Sequence, residues 1–178
     1  MKKRIKVAAM FAVMAMVLGV GYAAPAVEVI TVFDPATYKV GVGEVVEVNG
    51  DKYLKVTPNG YDTSIAIEPV KLKGKKVFSC TMFGEKANAE LDFTVRLDDT
   101  ADGGPAKCIA MISTPAWDGG IPARPTMKRA GVAKGDGDWF RPSKSMICNA
   151  VNVNVQDPAD GWKEQYGVTV YIGKITAF

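Results

Sequence analysis

The 178-residue chain has 22 lysines and arginines against 19 aspartates and glutamates, a formal net charge of +3, three cysteines and no histidine. The lack of histidine excludes Ser-His-Asp and Cys-His catalysis, and it excludes zinc or haem held by imidazole. The charge balance changes once the beginning of the chain is considered.

The first 24 residues are typical of a secretory signal peptide. The basic start MKKRIK precedes the apolar run VAAMFAVMAMVLGV and a set of small residues suited to cleavage. Counted on to Ala23, the apolar stretch has 17 residues, at the short limit for a membrane-spanning helix, so cleavage is favoured over a membrane anchor. We therefore expect a mature chain of residues 25–178, in the periplasm or outside the cell.

Removal of this segment changes the electrostatic argument. The segment holds four basic residues and no acidic residue, so the net charge falls from +3 to −1. No basic block is left, which argues against nucleic acid or an anionic membrane surface as a partner. The remaining length suits one domain with a single core.

Short runs of alternating apolar and polar residues dominate the mature chain, as in half-buried antiparallel strands. In AELDFTVRLD, for example, Phe93 and Val95 take one face, and Asp92 and Arg96 take the other. In chain order, the predicted strands are VEVITVF, EVVEV, KYLKVT, SIAIE, KVFSCTMF, AELDFTVRLD, AKCIAMIS, ICNAVNVNVQ and YGVTVYIGKITAF. About eight or nine such strands, separated by turn clusters, predict an all-β fold, either an antiparallel β-sandwich or a small barrel.

Residues 114–145 interrupt the alternation. This stretch is rich in proline and glycine, and we predict long loops with at most one short strand near Met127 to Ala130. Long irregular loops in a compact domain are often functional. Further on, Lys174 shares a face of the last predicted strand with Phe178, so we do not expect the chain to be embedded in a membrane.

The three cysteines, Cys80, Cys108 and Cys148, each fall inside an apolar strand run. In an oxidising compartment two of them could pair, and the sequence does not choose among the three pairings. Small buried thiols are an equal alternative.

Catalysis by carboxylates is not expected. Glycoside hydrolysis needs two carboxylates held across a cleft, and no pattern indicates such a pair. Aspartate in glycine-rich turns commonly hydrogen-bonds its own backbone. We therefore interpret the aspartates in or near predicted loops as turn formers: Asp98, Asp99, Asp102, Asp118, Asp136 and Asp138. The DDTADGG stretch is no EF-hand, because Ile109 stands where that loop needs glutamate, although a weaker loop-bound calcium stays open.

A row of amides lies on one predicted strand. The run VNVNVQ places Asn152, Asn154 and Gln156 at every second position, hence on one face. Amides both donate and accept hydrogen bonds, as sugar hydroxyls do. With Arg96 and Asp92 on the polar face of their own strand, the row predicts an open carbohydrate-binding surface.

The tryptophans complete this hypothesis. Trp117, Trp139 and Trp162 all stand in acidic, glycine-rich loop sequences instead of strand runs. An indole offers a flat apolar face for the C–H face of a pyranose, with a hydrogen-bond donor at its rim. The alternative is a solvated sheet face beside three indoles that anchor loops.

The sequence resembles jelly-roll, galactose-binding-like carbohydrate-binding modules in three stretches. The segment from NGDKYLKVT to KGKKVFSCTMF is similar to their early half, GDWFRPSKSMICN to a late strand that starts with tryptophan, and YGVTVYIGKITAF to their closing strand. The resemblance implies a jelly-roll sandwich. It also implies that Trp139 is structural, which leaves Trp117 and Trp162 as the better ligand candidates.

The same resemblance implies a structural calcium ion. By position its ligands would be Asp34, Asn49 and Asp51, with an acid from the closing strand. This chain has Gly173-Lys174 where that acid is expected, which departs from the family pattern.

Two functions follow from these observations. The first is a secreted, non-catalytic β-sandwich that binds polysaccharide or another glycan through the loop tryptophans and the polar sheet face. The second is a structural subunit of an envelope or extracellular assembly, because the predicted domain stands alone behind its signal. A free cysteine and apolar edge strands would suit self-association in that case.

Overall fold

The computed structural model describes residues 27–39, 41–59, 63–99 and 105–178. The predicted signal peptide and Asp102 lie outside these residues. The described chain forms two 3-10 helices, η1 (Ala116–Asp118) and η2 (Asp138–Phe140), and eleven strands. The strands are β1 (Ile30–Phe33), β2 (Glu44–Val48), β3 (Asp51–Val56), β4 (Thr63–Lys71), β5 (Val77–Gly84), β6 (Asp92–Asp99), β7 (Lys107–Thr114), β8 (Thr126–Gly131), β9 (Ile147–Asp157), β10 (Lys163–Glu164) and β11 (Val170–Ala177).

The strands form two antiparallel sheets that pack as a sandwich. Sheet A has the order β2-β3-β11-β5-β8, and β1 also pairs with β11. Sheet B has the order β10-β9-β6-β7, and β4 also pairs with β9. The chain crosses between the sheets after β3, β4, β5, β7, β8 and β10, as in jelly-roll folds. The predicted all-β antiparallel sandwich is therefore confirmed.

The alternation along β6 and β9 explains how sheet B contributes to the core. These two strands pair so that each apolar side chain of one strand lies opposite an apolar side chain of the other. The resulting core pairs are Phe93 with Val155, Val95 with Val153, and Leu97 with Val151, all essentially inaccessible to solvent. The polar positions between them form what we call the outer face of sheet B: Asp92, Thr94 and Arg96 opposite Gln156, Asn154 and Asn152.

All three cysteines are free and buried, so the buried-thiol alternative holds. Burial raises the pKa of each thiol to about 12. Because the thiolate is the reactive form, these side chains are protonated and unreactive at neutral pH.

Candidate functional site

The amide row on the outer face of sheet B is covered. Asn152 is only 5% exposed and Asn154 only 8% exposed, while Gln156 is half-buried. This corrects the expectation of an open polar surface. The alternation correctly indicates which face the amides share, but the face is not free to meet a large ligand.

Part of the cover is the segment between β8 and β9, residues 132–146. The backbone N–H of Ala133 donates to the Ile109 carbonyl at 2.7 Å, and that of Ser143 donates to the Asp99 carboxylate at 2.8 Å. Between these two attachments, η2 packs against β7. We call this segment the β8–β9 loop.

Asp98 organises the charged groups beneath the β8–β9 loop. Its carboxylate is 1% exposed and accepts Nε and Nη2 of Arg96, both at 2.9 Å. It also accepts Nδ2 of Asn152 at 2.7 Å. A bidentate pair with an additional amide donor compensates the cost of burying the two charges. Arg96 and Asn152 are therefore engaged within the fold.

Trp139 lies on this cluster. Its ring centroid is 5.1 Å from the guanidinium carbon of Arg96, within the range of a cation–π interaction. Phe140 packs edge-on to Trp139 at 4.6 Å, and a side chain at Gly135 would collide with the Phe140 ring. The indole is thus half-buried between the loop and the sheet.

The other two tryptophans are exposed. Trp117 is 79% exposed, Trp162 is 49% exposed, and Tyr166, which sequence reasoning did not select, is 64% exposed. We call these three residues the aromatic edge. Tyr166 follows β10, and recognising that strand could have drawn attention to it. The strand has only the two residues Lys163–Glu164, which is too short to predict from the sequence.

Backbone connections bring the aromatic edge to one end of sheet B. The N–H of Ala116, next to Trp117, donates to the Asp92 carboxylate. Asp92 lies opposite Gln156 in the ladder, and Gln156 lies opposite Glu164 of β10. Neighbouring strands are about 4.8 Å apart, so η1 and the β9–β10 hairpin flank the same end of the sheet. Asp92 is buried and serves to hold η1 in place.

Trp162 is presented by a strained but well-braced turn. Its φ is 64°, in the left-handed region, where a large side chain costs about 1–2 kcal/mol. The Asp157 carboxylate accepts the N–H groups of Ala159 and Asp160, and the Asp157 carbonyl accepts the N–H of Trp162. Strain of this kind concentrates at functional sites, where the surrounding structure enforces it.

The residues expected to bind calcium are arranged differently. Lys174 places its ammonium 3.0 Å from Asp34, and this contact is the main reason that the pKa of Asp34 is lowered. Asn49 occupies the β2–β3 turn with φ of 55°, and Asp51 begins β3. In the described ranges no cluster of three or more Asp, Glu, Cys or His side chains could hold a metal. The calcium site stays a prediction.

A cleft of about 510 Å³ opens between β1 and β4, away from the aromatic edge. Its walls are mainly apolar, from Val32, Phe33, Tyr38, Ile67 and Val70. β4 bulges here, since Ala66 and Val70 pair with residues only two apart on β9. Of the candidate residues from the sequence, the cleft contains Asp34 alone.

The chain has a limited structural similarity to a known protein. No family model matches the chain, and no curated protein sequence matches it. Among solved structures, a xylan-binding module, CBM15, is similar with a TM-score of 0.49 and 12% sequence identity. The alignment covers 84% of this chain and 95% of that module. Across the described residues, no helix has the length and apolar character needed to span a membrane.

Proposed function

We propose that the protein is a secreted, non-catalytic module that binds polysaccharide through its aromatic edge, in the periplasm or outside the cell. The observation that carries the proposal is the exposure of Trp117 and Trp162 at one end of sheet B, with Trp162 held outward by strained backbone. Exposed large aromatic side chains grouped in one place are unusual on a monomeric protein and mark a surface that binds something.

The chemistry of the aromatic edge suits a sugar chain. Burial of apolar surface contributes about 25 cal/mol per Å², so an indole covered by the C–H face of a pyranose supplies useful affinity. Hydroxyl groups of the ligand also find partners close by. The Glu164 carboxylate, which accepts the Tyr166 hydroxyl at 3.2 Å, is an acceptor, and the half-buried Gln156 amide both donates and accepts.

Gel retardation by soluble polysaccharides tests the proposal. We expect Trp117→Ala and Trp162→Ala each to weaken retention about tenfold, equal to about 1.4 kcal/mol, and the double variant to abolish it. Met127→Ala is the matched control, because this exposed apolar residue lies on β8 in sheet A. Its retention should equal that of the unaltered protein.

Two results would contradict the proposal. Retention that survives in the double variant would remove the aromatic edge from the function. If no polysaccharide is retained and light scattering shows concentration-dependent assembly that the double variant loses, the aromatic edge serves contact between subunits. The protein would then be the structural subunit considered above.

A further inference from the structure

The end of the sandwich that carries the aromatic edge is built from three connected segments, residues 85–92, 115–125 and 157–166. Asn88 and Ile121 exchange two backbone hydrogen bonds, at 2.9 and 2.8 Å. The hydrogen bond from Ala116 to Asp92 joins the second segment to the end of the first. Asp92 pairs with Gln156 of β9, which in turn pairs with Glu164 of the third segment. We call these three segments the aromatic end.

The aromatic end is acidic. Its three segments contain seven aspartates and glutamates but three lysines and arginines, within a chain whose expected mature form has a net charge of −1. The acids are distributed over all three segments: Glu85, Glu90, Asp92, Asp118, Asp157, Asp160 and Glu164. The acids still outnumber the cations when Lys55 and Lys128, which contact Glu85 and Asp118 from outside these segments, are included.

Two lysines that contact acids beside the exposed tryptophans are already engaged in ion pairs. Lys163, next to Trp162, contacts both carboxylate oxygens of Asp160 at 2.9 Å. Lys128 of β8 contacts Asp118, next to Trp117, also at 2.9 Å. An anionic ligand would have to displace a carboxylate from either lysine to pair with it, which leaves the exposed Lys86 and Arg124 as the other basic residues of these three segments.

A charged polysaccharide would meet a further penalty. A uronate or sulfate group within about 4 Å of a carboxylate is disfavoured by about 1 kcal/mol even at the dielectric constant of water. Neutral sugar hydroxyls have the opposite relation to the same groups, because they donate hydrogen bonds to carboxylates and such charge-assisted bonds are the stronger kind.

We infer that the aromatic edge selects neutral polysaccharides and rejects polyanionic ones, an inference that rests on the proposed function. The indoles supply affinity for the apolar faces of the sugar rings. The surrounding carboxylates accept hydrogen bonds from sugar hydroxyls and exclude acidic chains.

Retention on a panel of soluble polysaccharides tests this selectivity. The neutral probes are arabinoxylan, galactomannan and hydroxyethylcellulose, and the anionic probes are polygalacturonate and alginate. We expect retention on at least one neutral probe, unchanged within about twofold at 1 M NaCl, where the Debye length is only about 3 Å. We expect no retention on either anionic probe at low salt.

The possible failures separate the two proposals. Retention on polygalacturonate or alginate that Trp117→Ala and Trp162→Ala abolish would overturn the selectivity and leave polysaccharide binding by the aromatic edge intact. Absence of retention on every probe, neutral and anionic, would overturn the proposed function, and the selectivity with it.

Charge reversal sharpens the test. In the double variant Glu85→Lys and Glu90→Lys, we expect retention on anionic probes to appear at low salt and to disappear at 1 M NaCl. The matched control reverses two exposed acids, Glu47 and Glu68, toward the other end of the sheets. Glu47 lies next to the β2–β3 turn, and Glu68 lies opposite the start of β9. Equal gains in the two double variants would mean that net charge, and not the field at the aromatic end, controls the choice of ligand.

Discussion

The tryptophans of this protein occur in similar sequences and in opposite surroundings. Trp139 and Trp162 both follow aspartate and glycine in a turn-rich stretch. Trp139 packs onto Arg96 beneath its own loop, whereas Trp162 stands on a hairpin that closes on itself and holds the ring in solvent. The difference shows that local sequence places an indole in a loop. What the loop folds against decides whether that indole packs on the sheet or lies in solvent.

The largest expected effect is a loss of unfolding free energy from a substitution in the covered outer face of sheet B. Asp98→Ala leaves the largely buried guanidinium of Arg96 without its carboxylate, and breaking a buried pair in this way costs about 3–5 kcal/mol. Denaturation with urea measures the loss in unfolding free energy. Retention on polysaccharide by the protein that remains folded should not change. A loss below about 1 kcal/mol would show that the cluster does not stabilise the outer face of sheet B.

A smaller effect separates the two kinds of tryptophan. Trp139→Ala removes the cation–π contact and its apolar burial, so we expect unfolding free energy to fall by about 1–2 kcal/mol while retention on polysaccharide is kept. Trp117→Ala should do the reverse, with stability within about 0.5 kcal/mol of the unaltered protein, as for surface substitutions. Loss of retention in folded Trp139→Ala would place the β8–β9 loop in the binding surface.

The smallest effect tests the strain at Trp162. Trp162→Gly and Trp162→Ala both remove the indole and should both lose retention, but only glycine adopts a positive φ freely. Relief of about 1–2 kcal/mol of backbone strain exceeds the entropy that glycine adds to the unfolded chain, about 0.4–1 kcal/mol. The glycine variant should therefore be the more stable by about 0.5–1 kcal/mol in urea. Equal stability of the two variants would argue against strain in this turn.

Much of the fold is readable from the sequence because alternation reports burial directly. The run EVVEV corresponds residue for residue to β2, and the predicted strand at 147–156 differs from β9 by one residue. The shared face of Asn152 and Asn154 is likewise correct, since period two fixes which side chains are neighbours.

The alternation of apolar and polar residues does not predict which segment covers that face. The β8–β9 loop reaches it through contacts between distant positions, such as Ser143 with Asp99. The grouping of Trp117 with Trp162 depends in the same way on the register that sets Asp92 opposite Gln156. Registers and loop closures arise from the whole sandwich, so an isolated stretch of sequence does not reveal them.

The bracing of the β9–β10 hairpin has a thermodynamic consequence. Asp157 holds the turn with both its carboxylate and its carbonyl, and the N–H of Gln165 donates to the Val155 carbonyl at the base. The backbone that carries Trp162 is thus in position before the ligand of the proposed function arrives. Association then avoids much of the ordering cost of about 0.5–1.5 kcal/mol for each immobilised side chain. Free and bound backbones should coincide within about 1 Å, and differences between ligands should appear mainly as differences in residence time.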